Sequence, residues 1–302
     1  MHSHISLFND ERYQRCNLRP GQRLFRYDHS AGGRLVGTLS GVVDGEVLEC
    51  GHSAPFGGID WARRRELVGI VVELLRAASA RARSNGIREM RIRARPPYYG
   101  ANETACEFAL FNRSASVECC EMSLGVETGR YRTSADYVAS LGCSARNTLH
   151  HGLRAGMAFS QAATATEWAI CYDLLAETKR RRGAEMKYSL DYLLNLREIF
   201  GPRIAMHRLT RGGGLAGAAL VYRIARHWDC VAAWGDDLDH PNNKVMNVMT
   251  YHLVCEAIAG RVAILDLGGS SIDGVPDDRL IQFKRSVGAT TGSRLCFRLP
   301  LD

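Results

Sequence analysis

A chain of 302 residues with 46% apolar and 24% charged residues is long enough for two domains with full cores and has the composition of an ordinary globular protein. No apolar run approaches the roughly 20 residues a membrane helix needs, and Met1-His2-Ser3-His4 does not open a secretory signal, so a membrane span is excluded and the cytoplasm is the expected compartment. The net charge of +7, from 39 Lys plus Arg against 32 Asp plus Glu, favours anionic partners such as CoA, nucleotide sugars or tRNA without choosing among them.

In chain order, residues 23–50 read as strands: Leu24 to Tyr27, then Arg34 to Val43, then Glu46 to Glu49 after the Asp44-Gly45 turn. The polar loop Gly51 to Gly58 follows. Trp61 to Ser84 reads as a helix, because Leu67, Ile70, Val71, Leu74, Leu75 and Ala78 recur at helical spacing. A strand (Glu89 to Arg95), a loop with Tyr98 and Tyr99, a short helix and a strand (Ser116 to Val126) complete the first half. A helix starts at Ser134, and helical structure continues from Leu141 to Met157. Thr166 to Arg182 and Ser189 to Phe200 are further helices, the first ending in a basic turn before Gly183, as a helix C-terminus favours. Ile204 to Leu209, Leu215 to Ala225 and Asp229 to Trp234 form a strand meander. A second polar loop (Gly235 to Asn243), a helix (Val245 to Ala259), a strand (Val262 to Asp266), a loop, a short helix and a strand (Arg294 to Leu299) close the chain.

The two halves thus repeat one order of elements with little identity of residues. The expected fold class is α/β (α+β) in two domains, 1–132 and 133–302, the second including the linker helices, each a mixed twisted sheet with flanking helices. Two such copies would enclose a cleft, where chemistry is usually placed. The ten cysteines contain no C-x-x-C pair, and Cys119-Cys120 would point to opposite faces of a strand. They are expected to be reduced, buried thiols, and no metal site is expected.

Several local words carry a resemblance. They are Pro55-Phe56-Gly57-Gly58, the basic stretch Ser140 to Gly156, Asp266-Leu267-Gly268-Gly269, and Ile281-Gln282-Phe283-Lys284-Arg285-Ser286-Val287-Gly288. With the repeated element order, they resemble tandem GNAT (acyl-CoA N-acyltransferase) domains, as in the Fem-type (FemABX-like) peptidoglycan bridge transferases and the related BioF2-like acetyltransferase proteins. Asn147, Thr148 and His150-His151 depart from the family's linker helix.

The resemblance implies transfer of an acyl or aminoacyl group to an amine, with no permanently bound cofactor and no covalent enzyme nucleophile. Acyl-CoA or aminoacyl-tRNA would be the co-substrate. The amine-bearing acceptor would be a wall precursor, a polysaccharide sugar amine or a small metabolite, and DNA is not an expected partner. Phe283 would shape the donor site and Lys284 would stabilise developing negative charge. Asp236, Asp237, Asp239 and His240 are candidate bases, since a histidine titrates near neutral pH. Asp266 sits at a strand end. Arg146 and Arg154, eight apart on a helix, are placed to hold an acceptor phosphate. Phe56, Gly57, Gly58, Tyr99 and Trp234 are candidate substrate contacts. Asn242, Asn243 and Lys244 stand at a helix start, where an anion is favoured. The literal CoA-loop match Arg211 to Ala216 lies between two strands and reads as a hairpin turn. The alternative is a non-catalytic RNA- or nucleotide-binding protein that keeps the GNAT fold, although the aromatic–basic interleaving of an RNA surface is absent.

Overall fold

The computed structural model describes residues 4–63, 66–237 and 244–301. The elements of the first half are α1 (Glu11–Arg15), β1 (Arg23–Ala31), β2 (Arg34–Asp44), β3 (Val47–Cys50), β4 (Gly58–Trp61), α2 (Val68–Ser84), β5 (Glu89–Arg93), α3 (Ala101–Phe111) and β6 (Ser116–Val126). They are followed by α4 (Ser134–Ser140), α5 (Cys143–Leu153), β7 (Ala158–Gln161), α6 (Ala165–Arg181), α7 (Leu190–Phe200), β8 (Ile204–Arg211), β9 (Gly214–Ala225) and β10 (Trp228–Asp236). The last are α8 (Val245–Ala259), β11 (Ile264–Gly269), β12 (Ser271–Ile272), β13 (Val275–Pro276), α9 (Asp278–Ser286) and β14 (Thr290–Pro300). No described helix is long and apolar enough to cross a bilayer.

The chain forms two compact units, and they do not follow chain order. Unit 1 takes in Met1–Ser123, Gly269–Asp277 and Thr291–Asp302; unit 2 takes in Leu124–Gly268 and Asp278–Thr290. A single cut after Arg132 does not produce this distribution.

In unit 1, β1, β2 and β3 form an antiparallel meander, and α2 carries the chain across so that β5 lies parallel to β3. The C-terminal strand β14 then pairs antiparallel with β5, Cys296 facing Arg93 and Pro300 facing Glu89. The stripe Val71, Leu74, Leu75, Ala78 and Ala82 of α2 buries against Leu39, Leu48, Met90 and Phe297. The helix expected from Trp61 begins only at Val68. Gly58–Trp61 is a strand, paired antiparallel with β2 from Ser40↔Gly58 to Gly37↔Trp61. Pairing with β2 makes this segment a strand, and the helical period starts later; Leu67, part of the expected stripe, is 73% exposed.

In unit 2, β7, β8, β9 and β10 run antiparallel in order and β11 lies parallel to β10 after the α8 crossover. Gly212 and Gly213, both at positive φ, turn β8 into β9 where Arg211 faces Gly214, so the literal CoA-loop match is a hairpin. The helical stretch expected from Leu141 to Met157 is shorter: Leu141 is extended, and α5 spans Cys143–Leu153. Thr133 with Asp136, and Thr164 with Glu167, form capping boxes that fix the starts of α4 and α6. A Cβ at Gly152 would come within 2.6 Å of Val248, so this glycine lets α5 lie against α8. All ten cysteines are free; Cys50, Cys106, Cys171 and Cys230 are buried, whereas Cys120 and Cys143 are exposed and depart from the expected burial.

Candidate functional site

The strands β10 and β11 of unit 2 pair at Trp228↔Ile264, Asp229↔Leu265 and Cys230↔Asp266, and the ladder ends there although β10 runs on to Asp236 and β11 to Gly269. At the same level β10 slips against β9, with Val231 facing Val221 and Ala233 facing Leu220. This is a bulge, which adds one residue and exchanges the two faces of the strand beyond it. A Cβ at Gly235 would lie 2.5 Å from Thr178 of α6, so position 235 faces α6, and the neighbouring Trp234 faces the other way.

On that other face, Trp234 meets Phe283 edge to face, with ring centroids 5.8 Å apart. Lys284, only 1% exposed, donates from Nζ to the Gly268 carbonyl at 2.8 Å and lies 5.9 Å from the Trp234 ring centroid. Asp266, also buried, accepts the Gly268 N–H at 2.6 Å. Gly268 has φ of +79°, a conformation that side chains disfavour, and both its backbone polar groups are held by candidate site residues. The short helix α9 buries Ile281 and Lys284, three apart, and ends where the Ala289 N–H meets the Lys284 carbonyl. The structure thus brings Lys284, Phe283, Asp266 and Trp234 together.

Asp236 lies two residues beyond Trp234 on β10. Its Oδ1 is buried without a hydrogen-bond partner among the described residues, and burial raises its pKa, with Arg182 opposing. Thr178 Oγ1 donates to the Asp236 carbonyl at 3.2 Å and so fixes the backbone there. The signal for Asp236 in the sequence was its place in a polar loop, which singles out no one carboxylate.

His240, Asn242 and Asn243, with Asp239, lie outside the described residues. Lys244 is exposed, left-handed (φ 54°) and at the N-cap of α8, where its carbonyl accepts the Val248 N–H at 3.1 Å. Arg146 is half-buried and donates to Cys143 Sγ at 3.4 Å, while Arg154 is exposed just past the end of α5. A hollow of about 670 Å³ lies between α5, α8 and α9, lined by Cys143, Ser144, Thr148, Asn247, Gln282 and Arg285 among others; neither Arg146 nor Arg154 lines it.

No protein-family model matches the sequence, and no curated protein matches it. Solved structures do. FemX superimposes with a TM-score of 0.74 over 99% of this chain and 94% of that chain, at 10% identity. The tandem GNAT protein from the clavulanic acid biosynthesis pathway gives 0.51 over 94% of this chain and 85% of that one, at 14% identity. L-PGS from Bacillus licheniformis gives 0.54 over 91% and 83%, at 10% identity.

The fold is a FemABX-like double GNAT fold. At these identities the likeness shows the fold alone.

Within a double GNAT chain, β3, α2 and β5 of unit 1 correspond in order to β10, α8 and β11 of unit 2. The corresponding split in unit 1 is filled. Past Cys50↔Ile92, the last pair of the β3–β5 ladder, Gly57 donates its N–H to the Arg93 carbonyl at 3.0 Å, and a Cβ on Gly57 would lie 2.3 Å from the Gly51 nitrogen. Gly58, at φ +98°, then starts β4. Phe56 (1% exposed) and Tyr99 (5%) pack edge to face at 5.1 Å, with Phe8 on the far side of Phe56 at 5.3 Å. These four residues, expected to touch substrate, form core and close backbone contact instead. Behind them lies a cluster that has no local signature in the sequence. Arg95 donates to Asp60 Oδ1 at 2.7 Å, to Glu103 Oε1 at 3.1 Å and to the Ile59 carbonyl, with all three charged side chains buried.

Proposed function

We propose that this double GNAT chain is a cytoplasmic N-acyltransferase that passes an acyl or aminoacyl group from a CoA thioester or an aminoacyl-tRNA to an amine, with the chemistry in its second half, residues 133–302. The observation that carries this reading is Lys284. A buried ammonium, aimed at Gly268 where β10 and β11 have stopped pairing, is costly unless it has work to do or partners to satisfy it.

Direct transfer needs a neutral amine, stabilisation of the oxyanion and two reactants held together. The amine nitrogen attacks the donor carbonyl and forms the new C–N bond, and negative charge moves onto the carbonyl oxygen. Lys284 Nζ and backbone amides at the split stabilise that charge. Asp236 takes the proton that the nitrogen loses, and the intermediate collapses with release of a thiolate, or of a ribose hydroxyl that receives that proton from Asp236. Raising the pKa of Asp236 makes it a better proton acceptor near neutral pH than an exposed carboxylate. Trp234 and Phe283 wall the donor side, Asp266 fixes the Gly268 backbone, and the basic residues Arg146, Arg154 and Lys244 attract an anionic donor or acceptor. No resident cofactor enters the scheme.

Lys284→Met tests it. Methionine keeps the length and apolar stem of lysine, so the fold should survive. Transfer from acetyl-CoA and from aminoacyl-tRNA to a panel of amines should fall about 10²- to 10³-fold, the usual loss for one oxyanion donor. Unchanged turnover in a variant with an unaltered melting curve would remove Lys284 from the chemistry. RNA retention on a filter with no transfer activity in the wild type would favour a binding protein that kept the fold.

A further inference from the structure

Unit 2 contains a second polar cavity, of about 150 Å³, between α8 and the starts of β10 and β11. Its polar walls include Gln161, Arg203, His207, Arg223, Asp229 and Glu256. Asp229 and Trp234 are five positions apart on β10, so the cavity lies roughly 16 Å along the strand from the Lys284 cluster.

The hydrogen bonds of this cavity are unevenly distributed. Asp229 is fully engaged by Arg223, through Nε at 2.5 Å and Nη2 at 3.1 Å. Arg203 directs Nε and Nη2 to the backbone carbonyls of Arg223 and Ile224, at 3.1 and 2.7 Å. His207 is different. It is 6% exposed, its Nδ1 has no hydrogen-bond partner among the described residues, and Glu256 Oε2 stands 3.4 Å away without forming a hydrogen bond. Phe159 stacks flat on the imidazole at 5.3 Å and fixes the ring plane. Burial pushes His207 down to about 4, so the ring is neutral at physiological pH. With the imidazole proton assigned to Nε2, Nδ1 and the Glu256 carboxylate, facing one small space, are two acceptors that lack a shared donor.

We propose that this cavity binds a compact organic ammonium ion, held between His207 Nδ1 and the Glu256 carboxylate. One –NH₃⁺ group has three donors and meets both acceptors at once. An anion would face Glu256 at the rim, while Arg223 already donates to Asp229 and Arg203 to main-chain carbonyls. No group of three His, Cys, Asp or Glu side chains among the described residues is placed to hold a metal ion. A void of this size takes a ligand of about six non-hydrogen atoms, the size of benzene. The site stands independently of the acyl-transfer reading.

The test uses the full chain labelled with ¹⁵N in histidine. Ethylammonium and methylammonium chloride are titrated in, with KCl at equal ionic strength and ethanol as the uncharged counterpart. A saturable shift of the His207 Nδ1 resonance is expected with the ammonium ions and none with KCl or ethanol. Glu256→Gln, at an exposed position that leaves the fold intact, should weaken binding about tenfold, the loss expected for one charge-assisted hydrogen bond. The proposal is overturned if neither ammonium ion gives a saturable shift, if KCl gives the same one, or if Glu256→Gln binds as tightly as the wild type. It is also overturned if the ligand-free spectrum shows Nδ1 protonated, because the nitrogen would then be a donor to Glu256 and lack nothing.

Discussion

Replacing Arg95 by Met should destabilise unit 1 by about 3–5 kcal/mol, the range for stripping one partner from a buried ion pair. Arg95 is 2% exposed and serves two buried carboxylates, Asp60 at 2.7 Å and Glu103 at 3.1 Å. Their fates differ once it is gone. Asp60 Oδ2 still accepts from the Ser6 N–H at 2.8 Å, from Ser6 Oγ at 3.0 Å and from Asn9 Nδ2 at 3.0 Å, so it stays ionised at reduced cost. Glu103 loses its counter-ion. Its carboxyl is already pushed up to about 7, because burial outweighs the attraction of Arg95, so it will answer by taking a proton. Binding that proton becomes harder as the solution turns alkaline, which places the larger loss at pH 8 and the smaller at pH 6. Urea unfolding followed by circular dichroism at both pH values gives the difference from the shift in midpoint. A second substitution, Glu103→Gln, should restore part of the loss at pH 8, since no carboxylate then needs to be neutralised. A loss below about 1 kcal/mol at pH 8, the size found for exposed pairs, would refute the account of a buried network.

Three further outcomes follow from the same geometry. Because the folded pKa of Glu103 lies above its unfolded value, the folded state holds the extra proton; stability from this group is complete below about pH 4.5 and declines as pH rises through about 7. The melting temperature of Glu103→Gln relative to wild type should therefore rise between pH 5 and 8, and a flat difference would assign the pH dependence elsewhere. Asp236→Asn should lower transfer at least 10²-fold and abolish the rise of rate with pH that an ionising base produces; a surviving acid limb would point to another base. Gly57→Ala should cost about 1–3 kcal/mol or more, since its Cβ would meet backbone, which cannot swing aside, 2.3 Å away; an unchanged urea midpoint would contradict the close approach of Gly51.

What the sequence disclosed depended on how local each determinant was. The helix Val245–Ala259 and the strand Ser116–Val126 carry their bounds in their own residues, and the structure ends them at the same residues. The start of α4 is written in Thr133 and Asp136. The sequence pattern starts the following helix at Trp61, because the partner that makes Gly58–Trp61 a strand is β2, some twenty residues earlier, and pairing rather than propensity decides. The glycines at 57 and 58 have the composition of a ligand loop, but only the approach of Gly51 reveals that close packing requires them. Lys284 emerged through the Phe-Lys word. Its burial and its bond to Gly268 depend on how α9 meets β11, which no periodicity announces. Likewise, nothing near Asp60, Arg95 or Glu103 foretells their union, and nothing near Cys296 foretells that its strand adds to β5 of the first half.

The two copies of the GNAT element order have diverged in what they do with the same opening. Where two parallel strands cease to pair, backbone groups are left that must be satisfied by something. Unit 1 satisfies them internally. The Gly57 N–H donates to the Arg93 carbonyl, and just beyond, Arg95 donates to the Ile59 carbonyl while joining Glu103 to Asp60, which anchors the N-terminal segment through Ser6 and Asn9. In an opening closed this way, the Gly57 N–H and the Arg95 guanidinium are already engaged by main-chain carbonyls and carboxylates. In unit 2 the same point has a bulge, a left-handed glycine and a lysine on that glycine's carbonyl, a bond that a stronger acceptor, the oxyanion, can draw on. Electrostatic catalysis requires donors that are oriented yet not irrevocably spent. On the proposed acyl-transfer reading the chemistry belongs to the second copy, and Arg95→Met, however much it lowers stability, should leave kcat per folded molecule close to that of the wild type.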